Sequence, residues 1–355
     1  MSSAGCVLVY AREVVRVALD VMGSDRGVPA TVGGAATIST SPSAPELVLV
    51  GDEREIGAEL AKRPHDAAKI RVVHAGEVCR MDDKPREALD ARPDSSVLVA
   101  ARLVARGEAD VLVSAGNTGA VTLACAREFH RLPGVARAAL GAVVPPERRR
   151  GERRDPFSLL LDAGLTLDVS ADDLVAFAVM GSAYAQRISK NPRPRVALLS
   201  IGSEPNKGTA AIVEAHARLA RVPSIDFIGN VEGMDIPRGT ADVVVTGGFT
   251  GNIVLKMLEG VSETVMRLAR TAGEASVRYK AGLALLAPAI ERVREVTDWQ
   301  QYGGVPILGF DRLCIKAHGR STERAIANAL KVATITARTD LLPAMRTALG
   351  SLSVS

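Results

Sequence analysis

Short β-branched runs alternate with alanine-rich amphipathic stretches along the whole chain, and no other feature restricts its fold as much. Residues 14–20 (VVRVALD), 46–52 (ELVLVGD), 70–76 (IRVVHAG) and 110–116 (DVLVSAG) read as strands. So do residues 139–145, 158–164, 195–202, 225–230, 242–248 and 313–319. Several are apolar almost throughout, the mark of a strand buried on both faces. Helical patterns lie between them, such as SSVLVAARLVARGEA and SADDLVAFAVMGSAYAQRI. Strand–helix alternation implies right-handed crossovers and an α/β fold, an open, mainly parallel sheet flanked by helices. At 355 residues the chain is read as one such domain, with its core over 10–340.

Residues 250–300 break the alternation and read as almost wholly helical. Pro288 is expected to divide this stretch into a projecting helical hairpin. Its apolar segment LALLAPAI (283–290) suits either a dimer contact or a peripheral membrane contact. The charged segment PPERRRGERRDPF (145–157), including the arm from Arg148 to Arg154, reads as an exposed loop.

Composition excludes several functions. Aromatics are 3% of the chain, too few for a surface that stacks exposed bases, so nucleic acid is not an expected partner. The formal charge of +4 is compatible with anionic substrates. Cys6, Cys79, Cys125 and Cys314 are widely spaced and form no CxxC pair, which argues against a zinc site or disulfide framework. Cys125, inside an alanine-rich helix, reads as a small core residue. No secretory signal and no apolar segment of about 20 residues is apparent, so a cytoplasmic protein is expected.

The chemistry is expected at four junctions where a strand runs into glycine and small polar residues before a helix. These are SAGNTGA (114–120), SIGSEPNKGTA (200–210), TGGFTGN (246–252) and KAHGRST (316–322). In an open α/β sheet, ligands sit beyond the carboxyl ends of the strands, at helix N-termini whose N–H groups suit phosphate or an oxyanion. The four junctions are therefore expected to converge on one pocket. Lys207 reads as a charge donor to an anion or as a surface lysine. His318 reads as a donor or acid–base group, or equally as a structural histidine. Asp82, Asp83 and Lys84 read as the start of a helix. No dinucleotide fingerprint follows the first strand, and no Walker loop, nucleophile elbow or metal-ligand set is present.

Taken with VALDVMGSD (17–25), MDDKP (81–85), LLLDAG (159–164), GNVEG (229–233) and GFTGN (248–252), these segments resemble the phosphate acyltransferase (PlsX) family over most of the chain. The resemblance implies transfer of a fatty acyl group from acyl carrier protein to inorganic phosphate, giving an acyl phosphate for phospholipid synthesis. It implies an isopropylmalate-dehydrogenase/phosphotransacetylase-like fold and a homodimer with its cleft near the subunit junction. It also implies a peripheral membrane contact, a downstream glycerol-3-phosphate acyltransferase, and no metal, nucleotide or other cofactor. The residues matching the family motifs are Asp25, Asn117, Thr118, Gly119, Lys207, Asn230, Glu232, Asn252 and His318.

On this basis phosphate is assigned to the Asn117–Thr118–Gly119 turn with Lys207, and Asp25 and Glu232 are counted with the substrate-binding residues. Oxyanion polarisation is assigned to Asn252 or Asn230, and His318 orients phosphate or shuttles its proton. The chain departs from the family pattern at Ser24, Leu165, Thr166, Ser200, Ser203, Pro205 and Gly247. Those departures leave open a divergent paralogue with another acyl chain or acceptor, or a non-catalytic binding protein.

Overall fold

The computed structural model describes residues 14–147, 157–274, 276–297 and 303–352. Both Cys6 and the arginine-rich arm lie outside them. The strands are β1 (Arg16–Asp20), β2 (Glu46–Gly51), β3 (Ile70–His74), β4 (Val111–Ser114), β5 (Ala139–Val144) and β6 (Ser158–Leu161). They continue with β7 (Arg195–Leu199), β8 (Asp226–Val231), β9 (Val243–Val245), β10 (Gly304–Leu308) and β11 (Leu313–Ala317). The helices are α1 (Gly27–Ser39), α2 (Glu53–Leu60), α3 (Pro85–Ala91), α4 (Ser96–Ala105), α5 (Thr118–Glu128) and α6 (Ala171–Tyr184). After them come α7 (Ala210–Leu219), α8 (Asp235–Arg238), α9 (Gly248–Glu274), α10 (Val277–Thr297), α11 (Glu323–Arg338) and α12 (Leu341–Leu352).

All eleven strands form one sheet in the order β3-β2-β1-β4-β11-β10-β5-β6-β9-β7-β8. The five from β3 to β11 run parallel, as do the four from β6 to β8. Between the two sets β10–β11, β10–β5 and β5–β6 pair antiparallel, and these three pairings reverse the sheet. The carboxyl ends of β1, β4 and β11 therefore lie at one end of the sheet, and those of β6, β7, β8 and β9 at the other.

Successive strand residues point to opposite faces. Cys314 of β11 joins the core under α3, α4 and α5, while Ile315 joins the core under α1, α2 and α11. In the second half α6, α7 and α12 cover one face, and α8 and α9 cover the other. Cys125 is fully buried, and burial followed by a hydrogen bond with Cys314 pushes its thiol well up, as a core residue requires.

Two features differ from the sequence reading. Strand β10 has no counterpart there because Pro306 interrupts a run of only five residues, yet antiparallel pairing on both sides accommodates it. The hairpin turns after Glu274, not at Pro288, which lies inside α10. Ser276 caps the second helix, its Oγ accepting the Tyr279 N–H at 3.2 Å. No helix among the described residues is long and apolar enough to cross a membrane.

The α1–α11 contact demands glycine. A Cβ on Gly34 would lie 2.6 Å from Ile326 Cβ and 2.8 Å from the Glu323 carbonyl, whereas one on Gly57 of α2 would meet nothing within 4 Å. Gly34→Ala is expected to destabilise by about 1–3 kcal/mol. Gly57→Ala is expected to stabilise by up to about 1 kcal/mol. Urea unfolding midpoints at unchanged m would report both.

Candidate active site

At the β1/β4/β11 end the site is built on a row of polar side chains. Asp20, Ser114 and Lys316 stand level across three parallel strands. Asp20 is buried and accepts hydrogen bonds from Ser96 Oγ (2.7 Å) and Ser114 Oγ (2.6 Å). Those bonds make a buried carboxylate tolerable. Gly23 and Gly116 close over it, and a Cβ on Gly23 would lie 2.8 Å from Asp20 Oδ2. Lys316 is only 5% exposed, and its Nζ donates to the Ala317 carbonyl. Burial lowers the ammonium to about 8, opposed by the charges of Cys314, Asp20 and Asp25.

Above this row the sequence-derived residues gather. Asn117 caps α5 by accepting the Ala120 N–H at 3.2 Å. Its Nδ2 donates to the Met81 carbonyl (2.9 Å) and the Asp83 carbonyl (3.4 Å). The side chain is thus a clamp between α5 and the MDDKP loop. Gly119 is held against the same loop, since a Cβ there would lie 2.7 Å from Pro85 Cγ. The N–H groups of Thr118 and Gly119, in the first turn of α5, have no acceptor within the helix. Lys84 precedes α3, whose first turn carries Pro85, as the helix-start reading expects.

Asp25 is joined to the β11 loop by its N–H, which donates to the Gly319 carbonyl at 3.0 Å. Ser24 adds a bond of 3.2 Å from its Oγ to the same carbonyl. His318 is half-buried, and its Nδ1 accepts the Arg320 N–H at 3.1 Å. Burial pushes its imidazole down, assisted by Lys256, Lys316 and Arg320 and opposed by Glu259.

The other end of the sheet carries Lys207, Asn230, Glu232 and Asn252. Register sets the ends of β8, β7 and β9 side by side, with Val231 beside Leu199 and Leu198 beside Val245. Asn230 is buried and committed. Its Nδ2 donates to the Glu204 carbonyl at 2.8 Å, and its Oδ1 pairs with His216 Nδ1 at 3.0 Å. Because the amide donates through Nδ2, Oδ1 must accept, so His216 carries its proton on Nδ1. Asn230 therefore braces the loop that carries Lys207. Ser200 fastens the far side of that loop through Oγ to the Lys207 carbonyl at 2.9 Å. Lys207, Glu232 and Asn252 are exposed, and no described residue bonds the Lys207 ammonium or the Asn252 amide.

Asp162, which the sequence reading did not single out, seats Asn252. Its buried carboxylate accepts N–H groups from Leu140 (2.9 Å), Gly164 (3.0 Å), Leu165 (3.1 Å) and Thr166 (2.6 Å). Burial raises this carboxyl, and the four backbone donors oppose the rise. The loop so formed presses on the first turn of α9, where a Cβ on Gly251 would lie 1.9 Å from the Asp162 carbonyl. Asp20, Asp162 and Lys316 share one legible signal, a charged residue at or just beyond the end of an apolar strand.

Thus the nine sequence-derived residues fall into two groups, which follow strands of opposite direction. The reversal between β11 and β6 is the cause. Helix α9 spans the gap: it starts beside Asn252, and Lys256 and Glu259, one and two turns on, act electrostatically on His318. Among the described residues no His/Cys/Asp/Glu group could hold a metal ion. The departures Ser24, Ser200 and Thr166 are all absorbed by local bonds, the last donating to the Ala138 carbonyl at 3.1 Å.

Struts and ligands should respond differently to truncation. Asn117→Ala is expected to cost about 1–2 kcal/mol of stability through the lost cap and clamp. Exposed Asn252→Ala should change stability by less than about 0.5 kcal/mol. Equilibrium urea unfolding of the two variants distinguishes these outcomes.

The family model described as "Fatty acid synthesis protein" matches residues 15–343. The chain is 44% identical over 322 residues to the phosphate acyltransferase of Myxococcus xanthus, covering 90% of this chain and 89% of that one. It is 42% identical to the phosphate acyltransferase of a Bradyrhizobium species, covering 92% of each. Among solved structures it is similar to a EutD phosphotransacetylase from Staphylococcus aureus, at a TM-score of 0.59 and 14% identity over 91% of this chain and 94% of that one. A phosphotransacetylase from Streptococcus pyogenes matches with the same TM-score at 16% identity, over 92% and 94%. These two likenesses establish the shared α/β architecture. The whole-length similarity to phosphate acyltransferases means that this chain belongs to the phosphate acyltransferase family and is an acyltransferase.

Proposed function

We propose that the protein transfers a fatty acyl group from the thioester of acyl carrier protein to inorganic phosphate, at a site shared between two copies of the chain. The supporting observation is the separation of the two polar groups, with an uncovered apolar stripe of α9 between them. Phe249, Ile253, Met257, Val261, Val265 and Leu268 recur along that helix at spacings of three and four, each about half exposed or more. A two-fold packing of this stripe runs the two α9 helices antiparallel. The Asn252 end of one subunit then approaches the His318 end of its partner.

Within such a site the Thr118 and Gly119 N–H groups and His318 hold phosphate from one subunit. Lys207 and Asn252 of the partner subunit supply its counter-charge and a donor to the carbonyl oxygen. Asp25 and Glu232 line the two rims. A phosphate oxygen attacks the thioester carbon, the carbonyl becomes an oxyanion, and collapse expels the thiolate. Thiols have a pKa of only about 8.5, so the leaving group needs little acid assistance. Most acceleration comes from alignment, up to roughly 7–11 kcal/mol, and from oxyanion donors at roughly 3–4 kcal/mol each. No acyl-enzyme is needed. The acyl phosphate serves phospholipid synthesis, consumed by a glycerol-3-phosphate acyltransferase. A cytoplasmic dimer touching the inner membrane face through Leu285 and Leu286 of α10 fits the exposure of both side chains.

Incubation with acyl carrier protein thioester, phosphate and hydroxylamine should yield acyl hydroxamate only when phosphate is present. Thioester loss to another acceptor, or binding without loss, would refute this reading. Lys207→Ala and His318→Ala should each abolish turnover with folding retained. Co-expressed, they should recover about a quarter of wild-type activity, because half the dimers are mixed and each mixed dimer holds one intact site. Absence of recovery in isolated mixed dimers would place the chemistry within one chain.

A further inference from the structure

We propose that His318 acts as a neutral hydrogen-bond donor through Nε2, not as a proton shuttle, and that Lys316 is the positioning residue that keeps it so. The inference rests on the acyl-to-phosphate reading above and decides between the two roles that reading allows this histidine.

The argument starts from the backbone. His318 Nδ1 accepts the Arg320 N–H at 3.1 Å, an interaction that closes the turn after β11. A nitrogen that accepts carries no proton, so a neutral ring must hold its proton on Nε2. Protonating Nδ1 would set two N–H donors against each other and cost this contact. The geometry alone therefore favours the neutral ring.

The charges around the ring act in the same sense. Lys316 lies two residues earlier, in β11, and its charge acts on the His318 ring. Its ammonium is nearly sealed from water, so its field on the imidazole is weakly screened. From α9 come Lys256 and Glu259, paired with each other at 2.7 Å, and from the turn itself comes Arg320. On the side of β1, Asp20 and Asp25 act on Lys316 and hold it charged. Removing Lys316 takes away a buried cation and leaves the carboxylates. Imidazolium then becomes easier to form.

The chemistry follows without a proton-transfer step. A neutral Nε2–H placed against a phosphate oxygen, or against the carbonyl oxygen as it gains charge, polarises it while the proton stays on nitrogen. A glutamine amide can present a donor at about the same reach, but alanine cannot.

Long-range proton–nitrogen NMR on the ligand-free dimer, with His318 assigned among the five histidines by difference from His318→Gln, tests the first part directly. A neutral Nε2–H tautomer at pH 7 is expected. Lys316→Met should raise the pH at which His318 titrates by about one unit, and Lys316→Arg should not. In the acyl phosphate assay His318→Gln should keep kcat within about tenfold of wild type, while His318→Ala should lose about a hundredfold or more. The proposal is overturned by an Nδ1–H ring or imidazolium at pH 7, by unchanged His318 titration in Lys316→Met, or by His318→Gln being as damaged as His318→Ala. Should Lys316→Met not fold, Lys316→Gln carries the same titration test. The NMR measurements involve no substrate, so they stand or fall separately from the acyl-transfer reading.

Discussion

Strand direction governs the molecule. Parallel strands deliver all their following loops to one end of a sheet, and an antiparallel partner delivers its loop to the other. Here β10, β5 and β6 each run against a neighbour, so the glycine-bearing junctions are dealt to two ends. Three consequences follow from that reversal. The Asn117 and His318 junctions share a floor made by Asp20, Ser114 and Lys316, while the Lys207 and Asn252 junctions share an edge made by β7 and β9. The only described helix that starts at one group and reaches the electrostatic neighbourhood of the other is α9. Its apolar stripe is left exposed.

Within each half a division of labour separates side chains already engaged from those left to meet a substrate. Asn117, Asn230 and Asp162 look like ligands by residue type, but their bonding capacity is taken up by neighbouring backbone. A fully bonded polar group is a stiff support. Asn252 and Lys207 stand on those supports, one on the turn gathered by Asp162 and the other on the loop braced by Asn230. Such an arrangement fits a reaction in which alignment does most of the work, since a donor contributes only when held where charge develops.

The same logic explains where the chain tolerates its departures from the family pattern. Ser24 and Ser200 each bond a carbonyl of a neighbouring loop, and Thr166 bonds the carbonyl of Ala138. They alter how loops are fastened without removing Lys207, Asn252 or His318. The buried charges Asp20 and Lys316 tie this local fastening to electrostatics, because each lies at the end of an apolar strand where little water is available to screen it.

The pattern of apolar runs was enough to find ten of the eleven strands and the mainly parallel, helix-covered sheet, because periodicity and burial are local properties of a chain. Motif resemblance was enough to name the family. Strand β10 escaped because a proline in a five-residue run looks like a breaker until two antiparallel neighbours are known. The hairpin does not turn at Pro288, and the Ser276 capping bond that opens its second helix exists only once that helix has formed. Residue type could not separate struts from ligands, since an asparagine's role depends on which carbonyls the fold brings to it. Nor could sequence order reveal that the four junctions lie at two ends, because one of the pairings that set strand direction joins residues more than a hundred positions apart, Ile307 with Leu140. Local chemistry was therefore written in the chain, and the distribution of its junctions between the two strand directions was decided only by tertiary pairing.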